Sequence, residues 1–228
     1  MALSKVFTPV TIRCKGVLFD MDGILISSIG SVERSWTKWA LMRGVDPAYA
    51  LGMVHGRRSI ETVALLRPDL DPETENTIIE DLEIEDTDGV EVLPGAFELL
   101  TALPAHSWTI VTSATAPLAR VRLAACGIPV PERIVTADSV SRGKPHPAPY
   151  LAGAALLGFA PEQCVVFEDA ASGAQAGRAA GCTVVATTFS HSIESLSAAH
   201  YLIPDLTGVE VLPAPDGGFS LRFMPLAV

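Results

Sequence analysis

Five short, almost wholly apolar runs constrain this chain most. They lie at residues 16–19, 108–112, 133–135, 164–167 and 183–186, bounded by polar or glycine-containing turns. Strands so short and so uniformly apolar are expected where helices cover both faces of a parallel sheet. Between the runs, residues 95–103, 117–125, 147–158 and 170–180 carry helical spacing. The alternation predicts an α/β fold, a doubly wound, Rossmann-like parallel sheet.

One stretch breaks the rhythm. From about residue 30 to residue 93 the periodicity is helical and no strand stands out, with helices expected at 31–43, 47–54, 59–66 and 72–83. Asp46-Pro47 and Asp71-Pro72 are good helix starts. The expected organisation is therefore a sheet domain of residues 1–28 and 94–228, interrupted by a small helical domain at 29–93, with Pro94-Gly95 marking the return. The acidic run at 80–91 reads as a solvated helix end and linker, since blocks of like charge usually face water. The tail from residue 213 has no role assignable from sequence.

Composition narrows the partners. The 228 residues are 49% hydrophobic, with a mean hydropathy of +0.36, yet no run of about 18 apolar residues occurs, so no membrane span is expected. The first 11 residues lack the basic flank, apolar stretch and small-residue cleavage site of a signal peptide, which predicts a cytoplasmic protein. Cys14, Cys126, Cys164 and Cys182 are far apart in sequence and form no Cys-x-x-Cys pair, so they read as small buried hydrophobes. A formal charge of −10 argues against a nucleic-acid partner. A small anionic substrate remains compatible with that charge if a few local cations, a helix N-terminus or a metal hold it.

In open α/β sheets ligands bind beyond the carboxyl ends of the strands, and four polar groups follow the apolar runs. The first is Asp20-Met21-Asp22-Gly23. Two carboxylates at i and i+2, then a glycine permitting a sharp turn, can hold a hard cation such as Mg²⁺, and one can serve as nucleophile while the other handles protons. An Asp-rich turn is the structural alternative. A calcium loop fails, because Ser31 falls where the bidentate Glu should be.

The second group, Thr112-Ser113-Ala114-Thr115, offers a hydroxyl and backbone N–H groups for phosphate oxygens, or an ordinary helix cap. In the third, Gly143-Lys144-Pro145-His146-Pro147, a lysine between Gly and Pro can be aimed at a phosphate, while His146 reads as a rim or capping residue. The fourth is Glu168-Asp169, adjacent carboxylates that a divalent metal would hold together and that could otherwise cap the following helix. All four fall on one expected rim of one sheet, which makes the set far stronger than its members.

This ordered set resembles the haloacid dehalogenase superfamily of phosphotransferases over about residues 12–212. The likeness is closer to its sugar-phosphate and polyol-phosphate phosphatases, through Val54-His55-Gly56-Arg57, Gly143-Lys144-Pro145-His146-Pro147, Val166-Phe167-Glu168-Asp169-Ala170 and Ala180-Gly181-Cys182. The resemblance implies Asp20 as nucleophile and Asp22 as general acid/base, with Asp22 reaching the metal through its backbone carbonyl. It also implies Ser113, Ala114 and Lys144 as phosphate clamps, and Mg²⁺ held by Asp20, Asp22, Glu168 and Asp169. The helical insertion would be the family's cap, with His55, Gly56, Arg57 and Arg58 meeting the substrate.

Two positions depart from the first motif, Ile24 where Thr is common and Ser27 where Asp is common, and Ser27 is expected to weaken the metal's support. The implied activity is Mg²⁺-dependent hydrolysis of small phosphate monoesters through an aspartyl-phosphate, in a monomer or weak homodimer. Two rival readings are a β-phosphoglucomutase-like mutase, disfavoured because Ser59 stands at the mutase-like arginine position, and a non-catalytic phosphometabolite-binding protein, disfavoured because no acid or lysine is missing.

Overall fold

The computed structural model describes residues 8–54, 59–214 and 218–227. Its strands are β1 (Val10–Cys14), β2 (Gly16–Phe19), β3 (Ile26–Ser27), β4 (Glu91–Val92), β5 (Trp108–Ile110), β6 (Cys164–Glu168), β7 (Thr183–Thr187), β8 (Tyr201–Ile203), β9 (Glu210–Pro213) and β10 (Phe219–Phe223). Its α-helices are α1 (Ile29–Arg43), α2 (Pro47–Val54), α3 (Ser59–Leu66), α4 (Pro72–Glu85), α5 (Ala96–Ala102), α6 (Ala116–Ala125), α7 (Ala148–Leu157) and α8 (Ala171–Ala179).

The main sheet is parallel, in the order β5-β2-β6-β7-β8. Strand side chains alternate between two cores: Val17, Phe19, Val165 and Phe167 face one, Leu18 and Val166 the other. Apolar residues of α5 and α6 close the first core, and those of α7 and α8 the second. That two-sided cover is why the strands carry no polar face. From β2 the chain goes to β5 on one side and later returns to β6 on the other, so β2 is the switch point, where ligands of such sheets bind.

Helices α1 to α4 have a core of their own. Trp36, Trp39 and Ala40 line one stripe of α1 and meet Ala50, Val63, Ile79 and Leu82. Asp71 caps α4, accepting the Thr74 N–H at 3.0 Å just before Pro72. Buried Glu75 accepts from Trp39 Nε1 at 2.8 Å and from Arg43 Nε at 2.6 Å, so its charge is paired inside the bundle.

Several sequence expectations are corrected. The 133–135 run is no strand: Val135 alone makes a bridge, to Val111, and the Arg133 carbonyl accepts from the side-chain hydroxyl of Thr109 in β5 instead of from a backbone N–H. The supposedly all-helical stretch ends in β4, which pairs antiparallel with β3, so the two chain crossings into the helical bundle are tied to each other. The C-terminal tail supplies β10, sandwiched between β1 and β9 in a separate antiparallel sheet whose Phe219, Leu221 and Phe223 extend the first core. Cys126 is only half-buried; the other three cysteines are buried, and burial pushes Cys14 and Cys182 up to about 12 and Cys164 up to about 11, leaving inert thiols. Among the described residues no helix is long and apolar enough to cross a membrane.

Candidate active site

The site grows from the carboxyl end of β2. The Asp20 N–H donates to the Phe167 carbonyl at 2.9 Å, carrying the ladder with β6 one residue past β2 and fixing where the Asp20 side chain emerges. The chain then turns sharply, the Gly23 N–H donating to Ile26 O at 2.8 Å with Gly23 at φ +81°. A Cβ at Gly23 would stand 1.9 Å from Asp169 Oδ2. Only glycine both adopts this turn and lets it close over the second acid pair.

Carboxylate oxygens of Asp20, Glu168 and Asp169 lie within 4.8 Å of one another. Lys144 Nζ stands between two of them, 2.7 Å from Asp20 Oδ1 and 2.7 Å from Glu168 Oε1. Glu168 is wholly buried and fully engaged: Oε1 also accepts from Tyr150 Oη at 2.7 Å, and Oε2 from the N–H groups of Asp169 and Ala170 at 3.0 and 3.1 Å. Ser190 Oγ donates to Asp169 Oδ2, and His191 Nδ1 lies 2.7 Å from the same hydroxyl.

Burial raises the Asp20 carboxyl well above the usual range; Lys144 opposes this, while Glu168 and Asp169 add to it. Asp169 is pushed up to about 7, first by burial and then by the charge of Glu168. Burial works against the Lys144 ammonium, but Asp20 and Glu168 outweigh it and hold its pKa above that of a free lysine. If all four groups are ionised, three carboxylates face one ammonium, an excess of two negative charges. Such a cluster of hard oxygen donors fits a divalent cation such as Mg²⁺, which would cancel that excess.

Asp22 is placed differently. Its carboxylate is outside the acid cluster: Oδ1 accepts from Ser28 Oγ at 2.6 Å, and both oxygens accept from Arg122 Nη1, at 3.2 and 3.1 Å. Arg122 Nη2 donates to Glu83 at 3.1 Å. The acidic run is therefore only in part the solvated helix end and linker expected: Asp81, Glu85, Asp88 and Glu91 are exposed, whereas three other acids of the run are engaged. Glu83 is only 7% exposed, Glu80 accepts from the Thr115 hydroxyl, and Asp86 accepts from Arg34 at 2.7 and 2.8 Å. These carboxylates dock α4 onto the start and end of α6 and brace α1. Glu83 is pushed up to about 7, by burial first, with Arg122 opposing and Asp22 adding.

A cavity of about 1110 Å³ opens over the cluster. Asp20, Asp22, Ser113, Ala114, Lys144 and Asp169 line its floor, and Ser59, Glu61, Asn76, Glu80 and Glu83 its roof from the helical bundle. The Ala114 N–H already donates to Thr112 Oγ1 at 3.0 Å, so it meets a phosphate only by sharing or leaving that bond. His146 is a capping residue whose Nδ1 accepts the Ala148 N–H at 3.2 Å, and it also stands on the cavity rim. Ser27 is buried in β3. His55, Gly56, Arg57 and Arg58 lie outside the described residues.

Tyr150, Ser190, Ser28 and Arg122 were not singled out by sequence. For Arg122 a signal exists: it sits on the buried stripe of α6 with Leu118, Ala119 and Leu123, and an arginine in an apolar stripe needs a charged partner. The others lie in ordinary-looking helix or loop sequence.

Fold and cluster together define a class, an α/β enzyme with an acid-and-lysine site at the switch strand of a parallel sheet. The family follows from comparison: the haloacid dehalogenase-like hydrolases match over residues 14–181, and the chain belongs to that family. It is 41% identical over 215 residues to hexitol phosphatase A of Escherichia coli (strain K12), covering 92% of this chain and all of that protein. It is 35% identical over 195 residues to glycerol-1-phosphate phosphohydrolase 1 of Saccharomyces cerevisiae (strain ATCC 204508 / S288c), covering 79% of this chain and 78% of that one. A solved hydrolase from Pseudomonas syringae superposes with a TM-score of 0.73 at 26% identity, over 85% of this chain and 94% of the other.

Proposed function

We infer that this hydrolase cleaves small phosphoric monoesters of sugars or polyols, with Asp20 as the nucleophile. The observation that carries the reading is Lys144, 2.7 Å from both Asp20 and Glu168 inside a three-carboxylate cluster at the floor of the cavity. A buried ammonium there favours the anionic form of Asp20, opposing the upward pull of burial, and presents a positive charge to an incoming phosphoryl group. Asp20 would attack phosphorus in line, forming an aspartyl-phosphate as the ester oxygen departs. Asp22 would give that oxygen its proton, then take one from the water that frees Asp20. Ser113 and Lys144 would hold the equatorial oxygens.

Asp20, Glu168 and Asp169, with the Asp22 carbonyl, would hold Mg²⁺. Once bound, the cation would neutralise charge on the phosphoryl oxygens. Residues 29–93 would act as a cap over a core of 1–28 and 94–228. The cavity roof supports a hydroxyl-rich substrate: Ser59, Asn76 and Glu80 offer hydrogen-bonding groups in place of an apolar wall. The names of the relatives, a hexitol phosphatase and a glycerol-1-phosphate phosphohydrolase, point the same way.

The test is a panel of hexitol, hexose and glycerol phosphates, assayed for both phosphate release and isomer formation with and without Mg²⁺. Metal-dependent phosphate release that is lost in Asp20→Asn is expected. Isomer formation would instead indicate a mutase, and near-normal turnover by Asp20→Asn would sink the nucleophile assignment.

A further inference from the structure

Three elements meet at one buried guanidinium. Arg122 is 4% exposed, and its Nη1 holds Asp22 of the core while its Nη2 holds Glu83 of α4. Its Nε is buried with no hydrogen-bond partner among the described residues. Asp22 is held a second time by Ser28, next to the chain crossing at β3. In this arrangement the carboxylate assigned to proton transfer spends its hydrogen bonds on Ser28 and Arg122, away from the Asp20–Glu168–Asp169 cluster.

For Asp22 to serve a leaving oxygen, its side chain must turn from Arg122. A buried guanidinium left without any anion is strongly disfavoured, because its charge then lies away from water with nothing to compensate it. Glu83 removes that difficulty, because it stays paired with Arg122 when Asp22 departs. We propose that Arg122 and Glu83 form a positioning pair in which Arg122 parks Asp22 and Glu83, from the helical insertion, takes over as counterion when Asp22 turns to the substrate. Seating of α4 on α6 is thereby coupled to delivery of the proton. The proposal rests on Asp22 being the general acid.

Its consequence is specific to the leaving group. An alkoxide from a polyol phosphate needs the Asp22 proton, whereas nitrophenolate leaves without one. In Glu83→Gln the guanidinium has only Asp22 as a charged partner and holds it more firmly. Adding Arg122→Gln releases it again.

The experiment measures kcat/KM for glycerol or hexitol phosphate and for p-nitrophenyl phosphate in Glu83→Gln, Glu83→Gln/Arg122→Gln and Asp22→Asn. The pH is set above the Glu83 titration near 7. The alkyl-to-aryl ratio cancels the fraction of folded enzyme in each preparation. The ratio is expected to fall about tenfold in Glu83→Gln, part of the roughly 10²-fold or more that a general acid contributes, and to recover to within about threefold in the double variant. An unchanged ratio in Glu83→Gln, or a double variant no better than the single, overturns the positioning pair while Asp22→Asn still lowers the ratio. An Asp22→Asn variant with an unchanged ratio overturns the general-acid reading and the pair with it.

Discussion

Gly173 lies in α8, at its buried face against Glu168, and a methyl group there would stand 1.6 Å from Glu168 Oε1 and 1.9 Å from Cδ. Ordinary contact begins near 3.4 Å, so Gly173→Ala forces the carboxylate to retreat by about 1.8 Å. Glu168 has nowhere free to go: it is wholly buried and holds Lys144, Tyr150 and two backbone N–H groups. Losing the bond to Lys144 and one other bond to the same carboxylate costs roughly 3–6 kcal/mol, since hydrogen bonds to charged groups contribute about 1.5–3 kcal/mol each.

Helix propensity pulls the other way by only about 1 kcal/mol, the gain of Ala over Gly in a helix interior. Gly52→Ala in α2, where an added methyl meets nothing within 4 Å, measures that gain alone. The clash therefore wins, and Gly173→Ala should lower the Tm while Gly52→Ala raises it. Because the displaced group is both a candidate cation ligand and the anchor of Lys144, kcat/KM should fall about 10²-fold, as for other ångström-scale misplacements, and the Mg²⁺ needed for half-maximal activity should rise about tenfold. Thermal unfolding and a Mg²⁺ titration of phosphate release check both. A Gly173→Ala enzyme as stable as Gly52→Ala, with unaltered Mg²⁺ dependence, would refute the reasoning.

Glu83 makes stability depend on pH with a definite sign. Its folded value of about 7, against an ordinary 4.5, means the folded protein keeps a proton that the unfolded chain has released, so its contribution falls as pH rises from about 4.5 to about 7, by up to about 3 kcal/mol. Urea unfolding across that window should show a shallower decline in Glu83→Gln, and equal slopes would contradict the assignment. Tyr150→Phe keeps the ring beneath Lys144, whose Nζ sits 5.1 Å from its centroid, but removes the Oη donor to Glu168; Mg²⁺ affinity is expected to weaken by about 10-fold or more, checked by titration of activity. Leu18→Ala, at a fully buried position of β2, should destabilise the fold by about 2–5 kcal/mol in denaturant titrations without changing KM of the remaining folded enzyme.

Local chemistry announced much of the fold. The runs at 16–19, 164–167 and 183–186 became β2, β6 and β7 because strands covered on both faces need apolar residues at every position. The helices at 47–54 and 59–66 coincide with α2 and α3, and α4 begins at Pro72 after the Asp71 cap. The strands that escaped, β1, β3, β4, β8, β9 and β10, are short or alternate polar with apolar, and they exist only because another segment lies alongside: Ile26–Ser27 beside Glu91–Val92, Val10–Cys14 beside Phe219–Phe223. Pairing partners remote in sequence leave little local trace.

The same division holds at the candidate site. Asp20-Met21-Asp22-Gly23, Lys144 and Glu168-Asp169 stand in the sequence as residue types with obvious chemistry at strand ends, and the fold gathers carboxylate oxygens of Asp20, Glu168 and Asp169 within 4.8 Å of one another, with Lys144 hydrogen-bonded to Asp20 and Glu168. By itself, then, the sequence determined four of the five strands of the main sheet, the run of helices before Pro94 and the chemical inventory, because strand and helix preferences and side-chain ionisation are local properties. Only the tertiary structure decided that the Asp22 side chain turns to Ser28 and Arg122, that Tyr150 and Ser190 steady the acids, and that Glu83 reaches across from the insertion. Electrostatic partnership in a buried site depends on distance in space, and residues 22, 83 and 122 acquire theirs only when the chain folds.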